Sequence, residues 1–428
     1  TRSDLGVPGS ELMMLLSSAH TVDPNLPGDT LHTELTLSNK LAYKYERSSV
    51  VIYGNVVAST NGQTWSETLG SGNGSLASQR FTLKQKPLTF VQAPNAAGVT
   101  STLQVSVNGV PWAEAAQFDD MKPTDRSYVT RTDNAMNTSV IFGDGIHGSR
   151  LPTGVENVTA VYRSGIGTPG NVDANQITLL ASRPLGVRAV ANPQAAGGGV
   201  DPESAAQGRA NVPLATAALD RIVSLDDYAA VARTYAGVAK ALAAEFPGTP
   251  PLVHVTIAAD GDAALTTASP LVEDLTAALL PQGDEQVALD VQPRGLIVVV
   301  LSANITLTAT AQWSRVEPAI RAKLLAKLGF GARNLAQDMH LSEVIAAIAE
   351  VAGVEYASVV GFDAVSDTTD RQVAEDLTRL ANATTPTILT KVTALPPRRG
   401  PDGKVLPAQL AIFEPNLPEA IILQNVTS

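Results

Sequence analysis

Apolar and polar positions alternate over Asn157–Tyr162, with Val158, Ala160 and Tyr162 on one side and Asn157, Thr159 and Val161 on the other. That two-residue period predicts a half-buried strand. A second β-branched run, Thr138–Phe142, precedes it, and Thr138–Val172 as a whole holds seven glycines and two prolines. Gly143-Asp144-Gly145 and Gly148 supply the positive φ angles and close approaches that glycine accepts cheaply. The stretch reads as strand, tight glycine loop, strand, and a second glycine loop at Gly165, Gly167 and Gly170.

The same period recurs upstream. Val50–Ser59 and Thr64–Leu69 flank Asn61-Gly62, and Thr102–Val107 and Val110–Glu114 flank Asn108-Gly109. Both dipeptides favour a type I′ hairpin turn. Leu103, Val105 and Val107 share one face, with Trp112 over the same small core. Ser127–Arg131 is expected to pair with Thr138–Phe142 through Asp133-Asn134, and Gly70–Ser75 reads as a flexible loop. Residues 32–190 are therefore β-rich, with roughly eight to ten strands.

After the linker Gly197-Gly198-Gly199 the pattern turns helical. Asp201-Pro202-Glu203 reads as a helix start. Ser224 caps a helix over Leu225–Tyr235, with Asp226 and Asp227 in its first turn and Gly237 at its end. Leu252–Ala258 is a strand, Pro270–Leu280 a helix, Leu296–Thr308 a long strand, and Ser314–Leu328 a helix closing on Gly329. Leu341–Val354 then repeats the helix–Ala-Gly-Val phrase of Leu225–Val238 in register, which implies two related α/β units. Asp367–Ala381 predicts one more helix, and the proline-rich remainder holds two strand candidates, Gln409–Phe413 and Ala420–Leu423.

The fold class expected is α+β multidomain: a β-rich N-terminal half, two small α/β units and a C-terminal arm. The corresponding boundaries are 1–31 (the tail of an upstream region), 32–190, 191–290, 291–363 and 364–428. With 428 residues, two to four domains of about 150 residues each are expected.

Composition narrows the function. Hydrophobic residues make up 44% but aromatics only 4%, so the cores must be built from Val, Leu, Ile and Ala. A net charge of −11 without a long basic run argues against nucleic acid as the main partner. No cysteine is present, which excludes disulfides and thiolate metal sites. No apolar run reaches the ~20 residues needed to span a bilayer; Leu12–Leu16 is far too short. The first residue is Thr, and a segment upstream is expected.

Candidate chemistry is sparse. The five histidines show no metal-ligand spacing, and no G-x-S-x-G elbow, H-E-x-x-H or Walker loop occurs. His147 lies three residues after Asp144, but the plainer reading is a loop Asp bonded to nearby backbone N–H groups beside a solvent-facing His. His254, between Val253 and Val255, reads as a satisfied sheet residue. Asp226 and Asp227 are explained by capping, and Arg398-Arg399 by a solvated loop. Arg150 and Arg163, beside the glycine loops, are expected either in surface ion pairs within the chain or against acidic groups of a neighbour. No catalytic residue, cofactor or metal is expected.

The motif FGDG-x-x-G-x-R-LPTG-x-x-NV-x-A-x-YR-x-GIG-x-x-GNV, over Phe142–Val172, resembles the signature of the baseplate J-like family. Gln79–Val91, Ser101–Trp112, Arg126–Asn134, Arg183–Val187, Asn192–Ser204 and Leu219–Arg233 fall in the order that family uses, so the resemblance spans roughly Asp29 to Gly361. It implies a structural wedge subunit in the baseplate of a contractile, phage-tail-like injection system. Such subunits form a six-fold ring with copies of themselves and a second wedge protein. The ring surrounds the central hub and spike and joins the sheath-initiating, lysozyme-like baseplate protein and the tube. Assembly in the bacterial cytoplasm, as part of a soluble or released particle, is the location implied. Candidate interface or hinge residues are Gly143, Asp144, Gly145, Gly148, Arg150, Arg163, Gly165, Gly167, Gly170, Gly197, Gly198 and Gly199. The alternative is a β-rich tail-fibre or adhesin-type binding protein, which calls for an exposed aromatic platform. A cell-wall hydrolase, which needs a paired Asp/Glu cleft, is the third reading.

Overall fold

Among the described residues nine strands precede the helix that begins at Leu225, as the alternating pattern predicts. The computed structural model describes residues 44–57, 59–119, 121–203, 222–267, 269–284, 286–366, 387–401, 403–415 and 417–426, with short stretches at 13–16, 35–38, 40–41 and 208–209. The chain divides into two compact units, residues 1–61 with 169–197 and residues 62–168 with 198–428. In the smaller unit Leu15 bridges Leu37 and Val172 bridges Ala196, both antiparallel.

The larger unit opens with β1 (Gln63–Gly72), β2 (Arg80–Thr82), β3 (Phe90–Gln92), β4 (Val99–Ser101), β5 (Gln104–Val107), β6 (Val110–Glu114), β7 (Ser127–Thr132), β8 (Thr138–Phe142) and β9 (Gly154–Ser164). Seven of them form one sheet in the order β1-β9-β5-β6-β7-β8-β2, and β3 pairs with β4. Val158, Ala160 and Tyr162 of β9 point inward with Val105, Val107, Val140 and Phe142. Few aromatics serve this core, but they are used edge-on: Phe142 meets Trp112 at 5.4 Å and Phe81 at 6.0 Å between ring centroids. Asn108 and Gly109 both have positive φ, 52° and 74°, and join β5 to β6 as the turn chemistry requires. The other expected hairpin does not form. Val50–Ser59 makes no strand among its described residues, and β1 takes β9 as its antiparallel partner. Two-residue turn chemistry is a local signal that a longer cross-strand partner overrides.

Two α/β layers follow. In the first, α1 (Leu225–Thr234) leads into β10 (Val238–Phe246), which pairs antiparallel with β11 (Leu252–Ala259). Helix α2 (Pro270–Leu279) crosses over to β12 (Ala288–Pro293), parallel to β11. Val253, Val255, Ile257 and Val291 pack on Leu271, Leu275 and Leu279. In the second, β13 (Gly295–Leu307) is followed by α3 (Trp313–Leu328), β14 (Met339–His340), α4 (Leu341–Ala349) and β15 (Val354–Ser366), which returns antiparallel to β13. Alternate residues Ile297 to Ile305 pack on Val316, Ile320, Leu324, Val344 and Ile348.

The two repeated phrases adopt the same local structure. Ser224 and Asp227 form a capping box on α1, and His340 and Glu343 form one on α4. Gly237 (φ 91°) and Gly353 (φ 96°) then turn each chain into its strand. The carbonyl of Gly237 accepts from the Asp260 N–H, and that of Gly353 from the Thr308 N–H, each just beyond the antiparallel partner strand.

The proline-rich end supplies β16 (Lys391–Val392), β17 (Arg398–Arg399), β18 (Val405–Leu406), β19 (Gln409–Ile412) and β20 (Ile421–Asn425). Both expected strands form, and both lie parallel to β13. They complete a core: Leu410, Ala411, Ile412 and Phe413 are fully buried. The helix expected at Asp367–Ala381 lies outside the described residues, as does the body of the one expected after Asp201.

Candidate functional site

The first glycine loop is closed on itself. Phe142 ends β8, and a β-carbon at Gly143 would collide with the Gly148 backbone, so the two ends of the loop can touch only because neither carries a side chain. The Gly145 N–H donates to the Gly148 carbonyl at 2.9 Å. Asp144 Oδ1 accepts from the backbone N–H groups of Ile146 and His147, both at 2.7 Å. Those bonds, that from His147 first, hold the Asp144 carboxyl below the usual carboxylate range. His147 is half exposed with Nδ1 3.6 Å from Asp144 Oδ2, so the plain reading of this pair stands. Arg150 Nε donates to the Asp144 carbonyl rather than to any acid.

Neighbouring loops are stitched to this one at the same end of the sheet. Ser78 N–H donates to the Gly143 carbonyl, Gly74 N–H to Thr153 Oγ1, and Gly72 N–H to Asn157 Oδ1. Ile146 and Val155 stay exposed on these loops, at 65% and 88%.

The second loop is gathered elsewhere. Gly165 donates to the Pro87 carbonyl at 3.2 Å, and its own carbonyl accepts from the Thr89 hydroxyl. Asp201, instead of capping a helix at this point, accepts from Thr168 N–H and Oγ1, each at 3.1 Å. Gly167 (φ 88°) leaves room for that carboxylate, where a β-carbon would collide with it. Gly170 lies against Asn61 within the smaller unit, and nothing comes within 4 Å of the β-carbon position at Gly197 or Gly198. Arg163 keeps Nε and Nη2 buried with no hydrogen-bond partner among the described residues. The structure thus brings Gly143 to Arg150 together and sets Gly165, Gly167 and Asp201 apart from them.

One polar cluster escaped sequence reading. His254 is fully buried, with Nδ1 2.8 Å from Asp290 Oδ2 and Nε2 3.0 Å from Thr256 Oγ1. Thr256 Oγ1 in turn accepts the backbone N–H of Ala408 at 2.9 Å. With Nδ1–H donating to Asp290, Nε2 accepts the Thr256 hydroxyl proton, and every member is satisfied. The sequence placed His254 as a sheet residue correctly, and Thr256 is two residues along the same strand, but Asp290 on β12 and Ala408, which bonds Thr256 from just before β19, are distant members that no local spacing reports. Arg398-Arg399 also departs from a plain solvated loop: Arg399 donates to the Pro247 carbonyl at 2.9 Å and lies over the Phe246 ring. Among the described residues, no group of three or more His, Cys, Asp or Glu could hold a metal ion.

The family model described as the Baseplate J-like central domain matches residues 220–292, the segment from just before α1 to β12. Among solved structures, a cryo-EM structure of the anti-feeding prophage baseplate, 6-fold symmetrised, is 10% identical, with a TM-score of 0.32. That likeness covers 82% of this chain and 78% of that one. No curated protein matches. The matched segment begins within the motif Leu219–Arg233 and ends with the strand that closes the first α/β sheet, and over this segment the chain is similar to the central domain of the baseplate J-like family.

Proposed function

We propose that the chain is a wedge subunit in the baseplate of a contractile, phage-tail-like injection system. It would form a six-fold ring with copies of itself and a second wedge protein. The ring would surround the hub and spike and link to the sheath-initiating and tube-initiating proteins. The observation that carries this reading is the match of residues 220–292 to the family's central domain. The glycine loops support it in a second way. Gly143–Gly148 is braced by its own hydrogen bonds while displaying Ile146, as expected of a surface that must hold its shape before a partner arrives. The role is structural rather than enzymatic, and assembly takes place in the bacterial cytoplasm, in a soluble or released particle.

Gly143, Asp144, Gly145, Gly148 and Arg150 are the proposed contact loop, with Arg163, Gly165, Gly167 and Gly170 as a second. Gly197, Gly198 and Gly199 form the proposed hinge. A ring that rearranges on triggering needs such joints between two packings. Electron microscopy of particles from cells carrying the intact gene cluster, with and without this gene, tests the role. Loss of sheathed particles, leaving tubes and sheaths unjoined, is expected. Normal particles with impaired target binding would overturn the wedge reading in favour of an adhesin.

A further inference from the structure

β9 carries an unpaired charge at each end. Near its start, the step from Gly70 to Gly72 on β1 is matched by the step from Val158 to Gly154 on β9, so β9 holds extra residues there. Glu156 lies in that bulge with φ 47°, in the left-handed region that residues other than glycine rarely adopt. The bulge is braced from β1: the Glu156 N–H donates to Ser71 Oγ at 2.9 Å, and the Gly72 N–H to Asn157 Oδ1 at 2.8 Å. It displays Val155 and the Glu156 side chain, both exposed. Among the described residues no hydrogen bond or ion pair engages that carboxylate. A braced bulge with an unusual φ is a device for aiming a side chain.

Arg163 stands at the other end. Thr159, Val161 and Arg163 face away from the core that takes Val158, Ala160 and Tyr162. By register Thr64, Ser66 and Thr68 of β1 share that outer face, and Arg163 is the one charged group among these six. Its main chain is pinned, with the N–H donating to Thr102 Oγ1 at 3.1 Å and the carbonyl accepting the Thr89 N–H at 2.9 Å. Its guanidinium is not: Nε and Nη2 are buried without a hydrogen-bond partner among the described residues. The side chain as a whole is only partly buried, so a group from outside can reach it. Unsatisfied charged donors cost stability, and an incoming carboxylate would recover it.

Glu156 and Arg163 lie roughly 20 Å apart along the strand, too far to meet within one copy. They are opposite charges, each beside an exposed valine, Val155 and Val161. That suits a heterologous contact, in which one end of a subunit meets the other end of the next and the ring closes by repetition. We propose that Glu156 of one copy pairs with Arg163 of the next, so that β9 supplies both halves of the copy-to-copy contact. The inference rests on the ring assembly proposed above and names its chemistry.

Charge reversal tests it in cells carrying the intact gene cluster. Arg163→Glu and Glu156→Arg are each expected to lower the yield of sheathed particles about tenfold or more, because like charges then meet at every joint. The double variant restores the pair with its polarity reversed, and a yield within about threefold of the natural chain is expected. Arg163→Gln and Glu156→Gln serve where a reversal does not fold, with loss of particles again expected from each. Arg163→Met, measured on the purified chain, removes the unsatisfied donors and should leave the thermal midpoint unchanged or raise it by about 2–4 °C. A lower midpoint would place a partner for Arg163 inside the chain and overturn the pair. Single variants that assemble normally, or a double variant no better than the singles, would also overturn it while leaving the wedge role standing. Normal particles without the gene would overturn both.

Discussion

Ala408 donates its backbone N–H to the buried hydroxyl of Thr256 at 2.9 Å, and that hydroxyl is also the partner of His254 Nε2. One side chain on β11 thus satisfies two groups that would otherwise be buried without partners. Thr256→Val keeps the shape and removes both bonds. A loss of about 1–3 kcal/mol is expected, read as a lower midpoint in urea at an unchanged slope.

Gly143 and Gly148 touch backbone to backbone. Gly143→Ala must push the loop open and is expected to cost about 1–3 kcal/mol. Thermal unfolding measures the cost. Hydrogen exchange at Gly145 should rise with it, because its N–H donates across the same loop.

Glu350 accepts from Lys323 and Lys327, which hold its carboxyl down to about 2 against 4.5 for an unhindered glutamate. A depressed carboxylate contributes stability above its unfolded value and loses it as the pH falls toward the folded one. The difference in thermal midpoint between the natural chain and Glu350→Gln should therefore be constant above about pH 5 and shrink between pH 4.5 and 2. A difference that stays constant down to pH 2 would remove the pair from any role in acid stability.

Ser224 and Glu343 serve the two capping boxes of the repeated helix. Ser224→Ala and Glu343→Ala are each expected to cost about 1 kcal/mol. Additivity in the double variant, checked by chemical denaturation, would mark the two helices as independent.

Much of this fold was legible where the signal was short-range. The Asn108-Gly109 turn, the inward face of Val158, Ala160 and Tyr162, and the Ser224 cap are each fixed by residues within a few positions. The likeness to the baseplate J-like central domain falls on 220–292, where the sequence carries the motif Leu219–Arg233, and not on the glycine-loop stretch. What stayed hidden depends on distant partners. Val238–Phe246 is rich in alanine and carries little strand propensity, yet it is β10 because β11 pairs with it along its length. Asn61-Gly62 has the chemistry of a hairpin turn, but the run before it forms no strand among its described residues and β1 pairs with β9 instead. Of the site residues, the closure of Gly143 to Gly148 follows from glycine spacing. The tie between Thr168 and Asp201 crosses 33 residues and has no sequence signature.

The two C-terminal strands carry a consequence for biosynthesis. β13 is made about a hundred residues before β19 and β20, and its second side stays bare until they have emerged. The second α/β layer is therefore the last core to close on a growing polypeptide. A ribosome that stalled before Gln409 would leave β13, paired with β15 on one side alone, with a long backbone edge open to chaperones and to aggregation.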